Sequence, residues 1–130
     1  MDIIKNFSEA WVKKDLNGSL NYLSENCICN NTPVVKITGK DEIRDYFQNI
    51  FNAVDDIKSE FKSFHFSESG DVICEFQKQF TENGKSVMVE QMISFTIENE
   101  KIVSYSSYFD KSELTQLTSL GKIIRNKDKV

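Results

Sequence analysis

Along the first third of the chain, apolar residues recur at three- and four-residue spacing. Ile3, Ile4, Phe7, Ala10 and Trp11, with Lys14 continuing the interval, form one stripe and predict an amphipathic helix of about 13 residues. Asp15-Leu16-Asn17-Gly18 is expected to break it, because Asn and Gly favour turn geometry over continued helix. A second, shorter helix is then expected to carry Leu20, Tyr22 and Leu23. Residues 26–38 surround the chain's one proline, Pro33, and read as a short extended segment with a turn there. Gly39-Lys40-Asp41-Glu42 opens a third helix with Ile43, Phe47, Ile50, Phe51 and Val54 along one side.

From residue 57 the apolar period falls from 3.6 to 2. Four strands are expected at about 57–67, 71–82, 85–98 and 101–110, separated by Ser69-Gly70, Asn83-Gly84 and Asn99-Glu100. The remainder, 111–130, reads as a C-terminal helix through Leu114, Leu117 and Leu120, followed by a basic tail. Helices ahead of a strand meander predict an α+β fold and one domain over residues 1–130. N-terminal helices would pack on a curved, mainly antiparallel sheet.

Asn-Gly between two alternating runs demands a type I′ turn, whose central residues both take positive φ. That turn pairs Glu82 with Lys85 and fixes the rest of the hairpin. One face then carries the pairs Phe80–Val87, Lys78–Val89, Phe76–Gln91, Cys74–Ile93 and Val72–Phe95, and it must look toward the helices. Lys78 and Gln91 interrupt this apolar face as diagonal neighbours. A lysine buried there without partners costs several kcal/mol or loses its proton, whereas one at the rim snorkels its ammonium to water. The buried alternative implies a pocket between helices and sheet, with aromatic walls and a few polar groups.

The next hairpin has two solutions. A two-residue turn at Asn99-Glu100 puts Ser104 and Ser106 on the pocket face. A longer turn or a bulge puts Val103, Tyr105, Ser107 and Phe109 there, with Ser107 opposite Gln91, and is preferred because it buries the bulkier set. On the other flank, a tight turn at Ser69-Gly70 pairs His65 with Cys74 and Ser63 with Phe76, while a loop from Glu68 to Asp71 would shift them.

Composition narrows the function. The 130 residues are 39% hydrophobic with ten Phe, enough to bury a core and to exclude disorder. Twenty acids against sixteen bases give a net charge of −4, which lacks the footprint of a nucleic-acid binder. The balance is uneven, since residues 111–130 carry five bases and two acids; this end reads as a solvated tail. No apolar run approaches the roughly 20 residues of a membrane span, and the polar start Met1–Asn6 does not read as a signal peptide. Three cysteines make no disulfide framework, so a cytoplasmic location is expected. One histidine excludes a multi-histidine metal site, Cys27 and Cys29 have no second pair, and no cofactor is expected. A Cys74–His65 thiolate pair would lack a third orienting group, and a buried cysteine is more often a core hydrophobe. Lys78 is the best candidate catalytic residue, as a base or Schiff-base nucleophile, although a cation for a ligand carboxylate ranks above either. Trp11, Tyr22, Phe47 and Phe51 line the pocket mouth or belong to the core.

Several strings now add up. Phe7 through Trp11 precede Asp15-Leu16; Asn31-Thr32-Pro33 and Gly39-Lys40-Asp41-Glu42-Ile43 follow; the run Glu100-Lys101-Ile102-Val103-Ser104-Tyr105-Ser106-Ser107-Tyr108-Phe109-Asp110 closes the series. In this order they resemble the SnoaL-like, nuclear-transport-factor-2-like superfamily of conical α+β proteins, over residues 3–110. The closing run is similar to the Gly-Lys-Ile…Tyr-Phe-Asp ending of limonene-epoxide-hydrolase-like members. Those enzymes use an Arg-x-Asp pair, a second Asp before Tyr-Phe, and an Asn that helps hold water. Asn31 matches the Asn, but Phe76-Gln77-Lys78 occupies the Arg-x-Asp positions and Ser107 the second Asp. Without a carboxylate base or acid at these positions, the resemblance does not carry the hydrolase chemistry. Ketosteroid-isomerase-like members use a carboxylate near the proline turn and a Tyr on the first helix, where this chain has Asn31-Thr32 and Phe7.

The resemblance implies a pocket at positions 76, 78 and 107, and a homodimer through the outer sheet face that carries Ile73, Met88 and Met92. The leading expectation is a protein that binds a small apolar or amphipathic molecule. Asn31, Lys78, Gln91 and Ser107 would supply polar contacts, and Phe76 and Phe109 the walls. Two alternatives stand beside it. One is an isomerase, cyclase or hydrolase centred on Lys78; the other is an interaction module whose cone is filled by Phe76, Phe80, Phe95 and Phe109.

Overall fold

A computed structural model describes residues 2–32, 35–110 and 112–128, excluding the side chains of residues 32 and 124–128. The elements run α1 (Asp2–Val12), α2 (Leu16–Leu20), β1 (Leu23–Thr32), β2 (Val35–Thr38), α3 (Lys40–Ala53), β3 (Asp56–Phe66), β4 (Val72–Glu82), β5 (Lys85–Glu98), β6 (Lys101–Phe109), a 3-10 turn (Leu114–Gln116) and α4 (Thr118–Asp128). The six strands form one open, curved sheet in the order β2-β1-β6-β5-β4-β3. Neighbours are antiparallel except β1 and β6, which run parallel. The class is the expected α+β, with N-terminal and C-terminal helices packed on the sheet. No described helix is long and apolar enough to cross a membrane.

The α1 stripe buries Ile4 and Phe7. The chain leaves that helix at Lys14, which takes a positive φ of 58°. The first helix ends before Asp15, as expected, and Asp15-Leu16-Asn17-Gly18 goes straight on to start the second. The Asp15 carboxylate accepts from the Gly18 amide at 3.0 Å, a side-chain N-cap. Gly18 is what leaves room for the cap, because a Cβ there would fall 2.1 Å from Asp15 Oδ2. Leu23, expected on the second helix, opens β1. Lys14 then serves the neighbouring helix: its ammonium donates to the carbonyls of Phe51 (3.3 Å) and Val54 (2.8 Å) at the end of α3, where helix carbonyls lack intrahelical partners.

Residues 26–32 and 35–38 are extended, as an arm of two strands paired from Ile28–Thr38 to Asn31–Val35. The proline turn itself lies outside the described residues. The β4–β5 hairpin has the expected register from Glu82–Lys85 to Val72–Phe95. Asn83 and Gly84 both take positive φ, 51° and 81°.

The flanking hairpins differ in detail. The β5–β6 turn is the tight one, with Glu98 paired to Lys101, but a bulge follows between Thr96 and Ile97. Val103 is skipped by the pairing, and the fully buried residue there is Ile102. Beyond the bulge Ser107 lies opposite Ile93, and Phe109 opposite Gln91. The expected Ser107–Gln91 pairing is therefore a diagonal one. At the other end the Ser67–Asp71 loop closes on a bond from the Ser67 amide to the Asp71 carbonyl (2.9 Å), longer than the tight turn. Phe64, not His65, pairs with Cys74; a second irregularity between Phe61 and Ser63 sets Phe61 opposite Phe76.

The C-terminal segment is a 3-10 turn and then α4, rather than one helix from 111. Leu114, Leu117 and Leu120 are buried. α4 is fastened to the sheet by Glu82, whose carboxylate accepts from the Ser119 amide (2.8 and 3.0 Å) and the Leu120 amide (3.2 Å). Burial raises the pKa of this carboxyl, but those hydrogen bonds outweigh it and hold the group below the ordinary carboxylate value. Of the basic tail, the Arg125 and Lys127 side chains and all of Lys129 lie outside the described residues.

Candidate functional site

Alternation on three antiparallel strands aims β4, β5 and β6 side chains at α1, α3 and the C-terminal leucines. Between them lies a cavity of about 70 Å³, room for a compact molecule or a few waters. Asn31 from β1, Phe76 and Lys78 from β4, Gln91 from β5, and Ser107 and Phe109 from β6 all line it. Trp11 and Phe47 close it from the helices and Leu114 and Leu120 from the C-terminal segment, while Phe51 and Tyr22 lie elsewhere.

The filled-cone alternative requires the four sheet phenylalanines to pack together. Instead three of them meet rings on other elements: Phe80 meets Trp11 (6.2 Å) and Phe95 meets Phe7 (6.4 Å) on α1, and Phe76 meets Phe61 (5.5 Å) on β3. No ring contact joins any two of Phe76, Phe80, Phe95 and Phe109 among the described residues.

Lys78 is inside, only 9% exposed, which settles the rim against the interior. Its ammonium stands 4.7 Å from the Trp11 ring centre and 5.4 Å from that of Phe76. No carboxylate among the described residues reaches it as an ion pair, and no Asp or Glu lines the cavity. Burial disfavours the charged amine and brings its pKa down to about 8; only the nearby Cys29 pulls the other way. The ionisable lining groups are Lys78, Tyr46 and Tyr105. Both phenols are pushed above their ordinary value by burial and remain neutral at physiological pH.

The other polar residues are partly spent on one another. Gln91 Nε2 donates to Ser107 Oγ across the diagonal. Its Oε1 is buried with no hydrogen-bond partner. Asn31 Nδ2 donates to Tyr46 Oη. Tyr105 is paired with Cys29 in the parallel β1–β6 ladder. Tyr46 and Ser8 also line the cavity, and Tyr46 is the one that holds a polar candidate. The place of Tyr46 three residues after Ile43, on the buried side of α3, was the available signal.

The cysteines offer no nucleophile. Burial pushes the thiols of Cys27 and Cys29 up to about 12 and that of Cys74 up to about 11. His65 is exposed and pairs with Ile73, so the Cys74–His65 dyad does not form. No cluster of three metal-binding side chains occurs among the described residues. A groove of about 210 Å³ runs between α1 and β3, along Lys5, Ser59 and Phe61, and shares Ser8 and Phe76 with the cavity wall.

Several solved structures share this architecture. An NTF2-like protein of unknown function from Burkholderia pseudomallei superposes with a TM-score of 0.78 at 20% identity, over 90% of this chain and 95% of that one. A protein with a ketosteroid isomerase-like fold from Catenulispora acidiphila, solved with trimethylamine, gives 0.78 at 13% identity over 89% and 91%. A limonene-epoxide-hydrolase-like (LEH-like) epoxide hydrolase from M. tuberculosis gives 0.75 at 13% over 97% and 89%. These likenesses establish the fold. No curated protein matches the chain. The sequence model of the SnoaL-like domain matches residues 4–105, most of the chain. This chain belongs to the SnoaL-like family.

Proposed function

We propose that the cavity binds a compact, largely apolar molecule that carries an oxygen acceptor or an anionic oxygen at one end. The observation that carries this reading is Lys78, an ammonium buried among rings with no carboxylate to neutralise it. Such a charge is costly to hold, and a ligand oxygen would offset the cost. Gln91 Oε1 supplies the second constraint, since an unpartnered buried acceptor is matched by a ligand hydroxyl or N–H. Phe76 and Phe109 provide apolar wall, and Asn31 and Ser107 hold the polar groups in place. A small monocyclic acid with a hydroxyl substituent fits this chemistry.

Calorimetry with benzoate, 4-hydroxybenzoate and benzyl alcohol tests the assignment. Both acids are expected to bind more tightly than the alcohol, and Lys78→Met is expected to abolish their advantage. Equal binding of acid and alcohol, or acid binding unchanged in Lys78→Met, overturns it. An enzyme of the isomerase, cyclase or hydrolase type remains the second reading. It is favoured by the same residue, because an amine with a pKa of about 8 can exchange a proton near neutrality. Some proteins that share the fold are catalysts, among them the LEH-like epoxide hydrolase.

The outer sheet face supports a homodimer. Met88, Met92 and Tyr108 are each about half exposed, and Met92 and Tyr108 are directly opposite on β5 and β6. Sedimentation is expected to give twice the 15.0 kDa chain mass, and Met92→Glu to return the monomer.

A further inference from the structure

We infer that Lys78 captures a small aldehyde within the cavity as an imine, an activity beyond reversible acid binding. The inference rests on the reading that this cavity admits a ligand, and it adds a covalent step at one named atom. Three features of the geometry carry it.

First, Lys78 lines a space bounded mostly by apolar side chains, its Nζ 4.7 Å from the Trp11 ring centre and 5.4 Å from that of Phe76. Ring faces stabilise a cation whether it is an ammonium or an iminium, so the product keeps the contacts that the free amine already makes. Second, no carboxylate among the described residues forms an ion pair with the amine or lines the cavity. An ion pair would hold the nitrogen protonated and without a lone pair; its absence leaves the neutral amine accessible. The amine's pKa near 8 agrees, leaving about a tenth of it neutral at pH 7, against well under a thousandth for an ordinary lysine. Third, the intermediate of the reaction carries a new hydroxyl, and an orphan acceptor stands beside Lys78 on the neighbouring strand. Gln91 Oε1, diagonal to Lys78 in the β4–β5 register, is buried and unpartnered.

The step balances without an oxidant or reductant. The nitrogen lone pair forms the C–N bond as the carbonyl π pair moves to oxygen, and a proton shift from nitrogen to oxygen gives the carbinolamine. Loss of water, carrying the carbonyl oxygen and both amine hydrogens, leaves the C=N bond. Protonation of that nitrogen gives the iminium that the rings would hold.

The test uses the full chain with benzaldehyde and sodium cyanoborohydride, whose hydride reduces an imine to a stable benzyl amine. Intact-mass measurement and peptide mapping then locate the benzyl group. Lys78 is expected to be modified about tenfold or more faster than any surface lysine, with benzoate slowing that site selectively. Lys78→Met is expected to lose the fast adduct while slow surface labelling continues. Labelling of surface lysines with Lys78 unmodified overturns the inference. If benzoate binds in a Lys78-dependent manner and Lys78 is still not trapped, the imine step fails and the binding reading stands. If Lys78 is trapped but benzoate shows no binding, the acid-binding reading fails and the imine step stands. Failure of both measurements overturns both.

Discussion

Replacing Lys78 by Met should make the protein more stable, and by an amount that depends on pH. The variant keeps a long, unbranched side chain against Trp11 and Phe76 and deletes the buried charge. In the folded chain the amine's pKa is about 8, against the ordinary 10.5. That difference corresponds to about 3 kcal/mol between the two protonation states. The sign follows from proton counts. Between about pH 8 and 10.5 the unfolded chain holds the proton and the folded one has released it, so wild-type stability from this residue rises with pH across that window. Below pH 8 both states are charged and the desolvation cost is present in full. Ring contacts offset about 1 kcal/mol or somewhat more of it. Lys78→Met is therefore expected to gain about 1–3 kcal/mol at pH 7, or some 3–10 °C in Tm. The gain should shrink toward zero by about pH 10.5. Urea unfolding of both proteins at several pH values, followed by the fluorescence of Trp11, the chain's one tryptophan, measures it. Other lysines and tyrosines titrate in the same range but cancel in the difference. A gap that stays constant with pH, or a variant less stable at pH 7, refutes the reasoning.

Two further substitutions probe the supports of the site. Tyr46→Phe removes the hydroxyl that accepts from Asn31 Nδ2 and leaves a half-buried donor unpaired. It should cost about 1–3 kcal/mol in urea unfolding. Glu82→Gln keeps an oxygen acceptor at the start of α4 but removes its charge, for a loss of about 0.5–1 kcal/mol at neutral pH. Because the Glu82 pKa is lowered on folding, its stabilisation is present above the unfolded carboxylate pKa and is lost as pH falls through the lower folded value. Thermal unfolding of the two proteins should therefore converge in acid; a gap that persists there contradicts the role assigned to Glu82.

Local chemistry made the centre of the fold legible. Asn83-Gly84 admits one turn geometry, and a period-2 pattern tolerates no slip, so every β4–β5 pair follows from those two facts. This hairpin alone brought Phe76, Lys78 and Gln91 to one face. Where a bulge intervenes, parity is lost. Phe109 and Ser107 were recovered only by asking which set is bulkier, and the exact pairing still shifted by two residues. The partner of His65 stays open in the sequence because the Ser67–Asp71 loop, made of polar residues and one glycine, fits more than one turn. Glu82 shares the face of Lys78 and Phe80, yet its partner is the backbone of a helix 37 residues away, which no local pattern encodes. The same holds for Tyr46 and Asn31. Each is ordinary in its own element, and only the packing of α3 on β1 makes them partners.

The strand order bears on how the chain is made. β6 lies between β1 and β5, so it is the strand that joins the N-terminal arm to the meander. During synthesis β1 and β2 emerge early and must wait, with the inner edge of β1 unpaired, until the last strand leaves the ribosome. That pairing is parallel and spans most of the sequence, the kind of contact that forms slowly because a long loop must close first. Asn31 and Ser107 stand opposite one another in this late ladder. The Asn31–Ser107 side of the cavity thus closes only when this long-range ladder forms, and the waiting edge of β1 is where a nascent or truncated chain would seek a partner in another molecule.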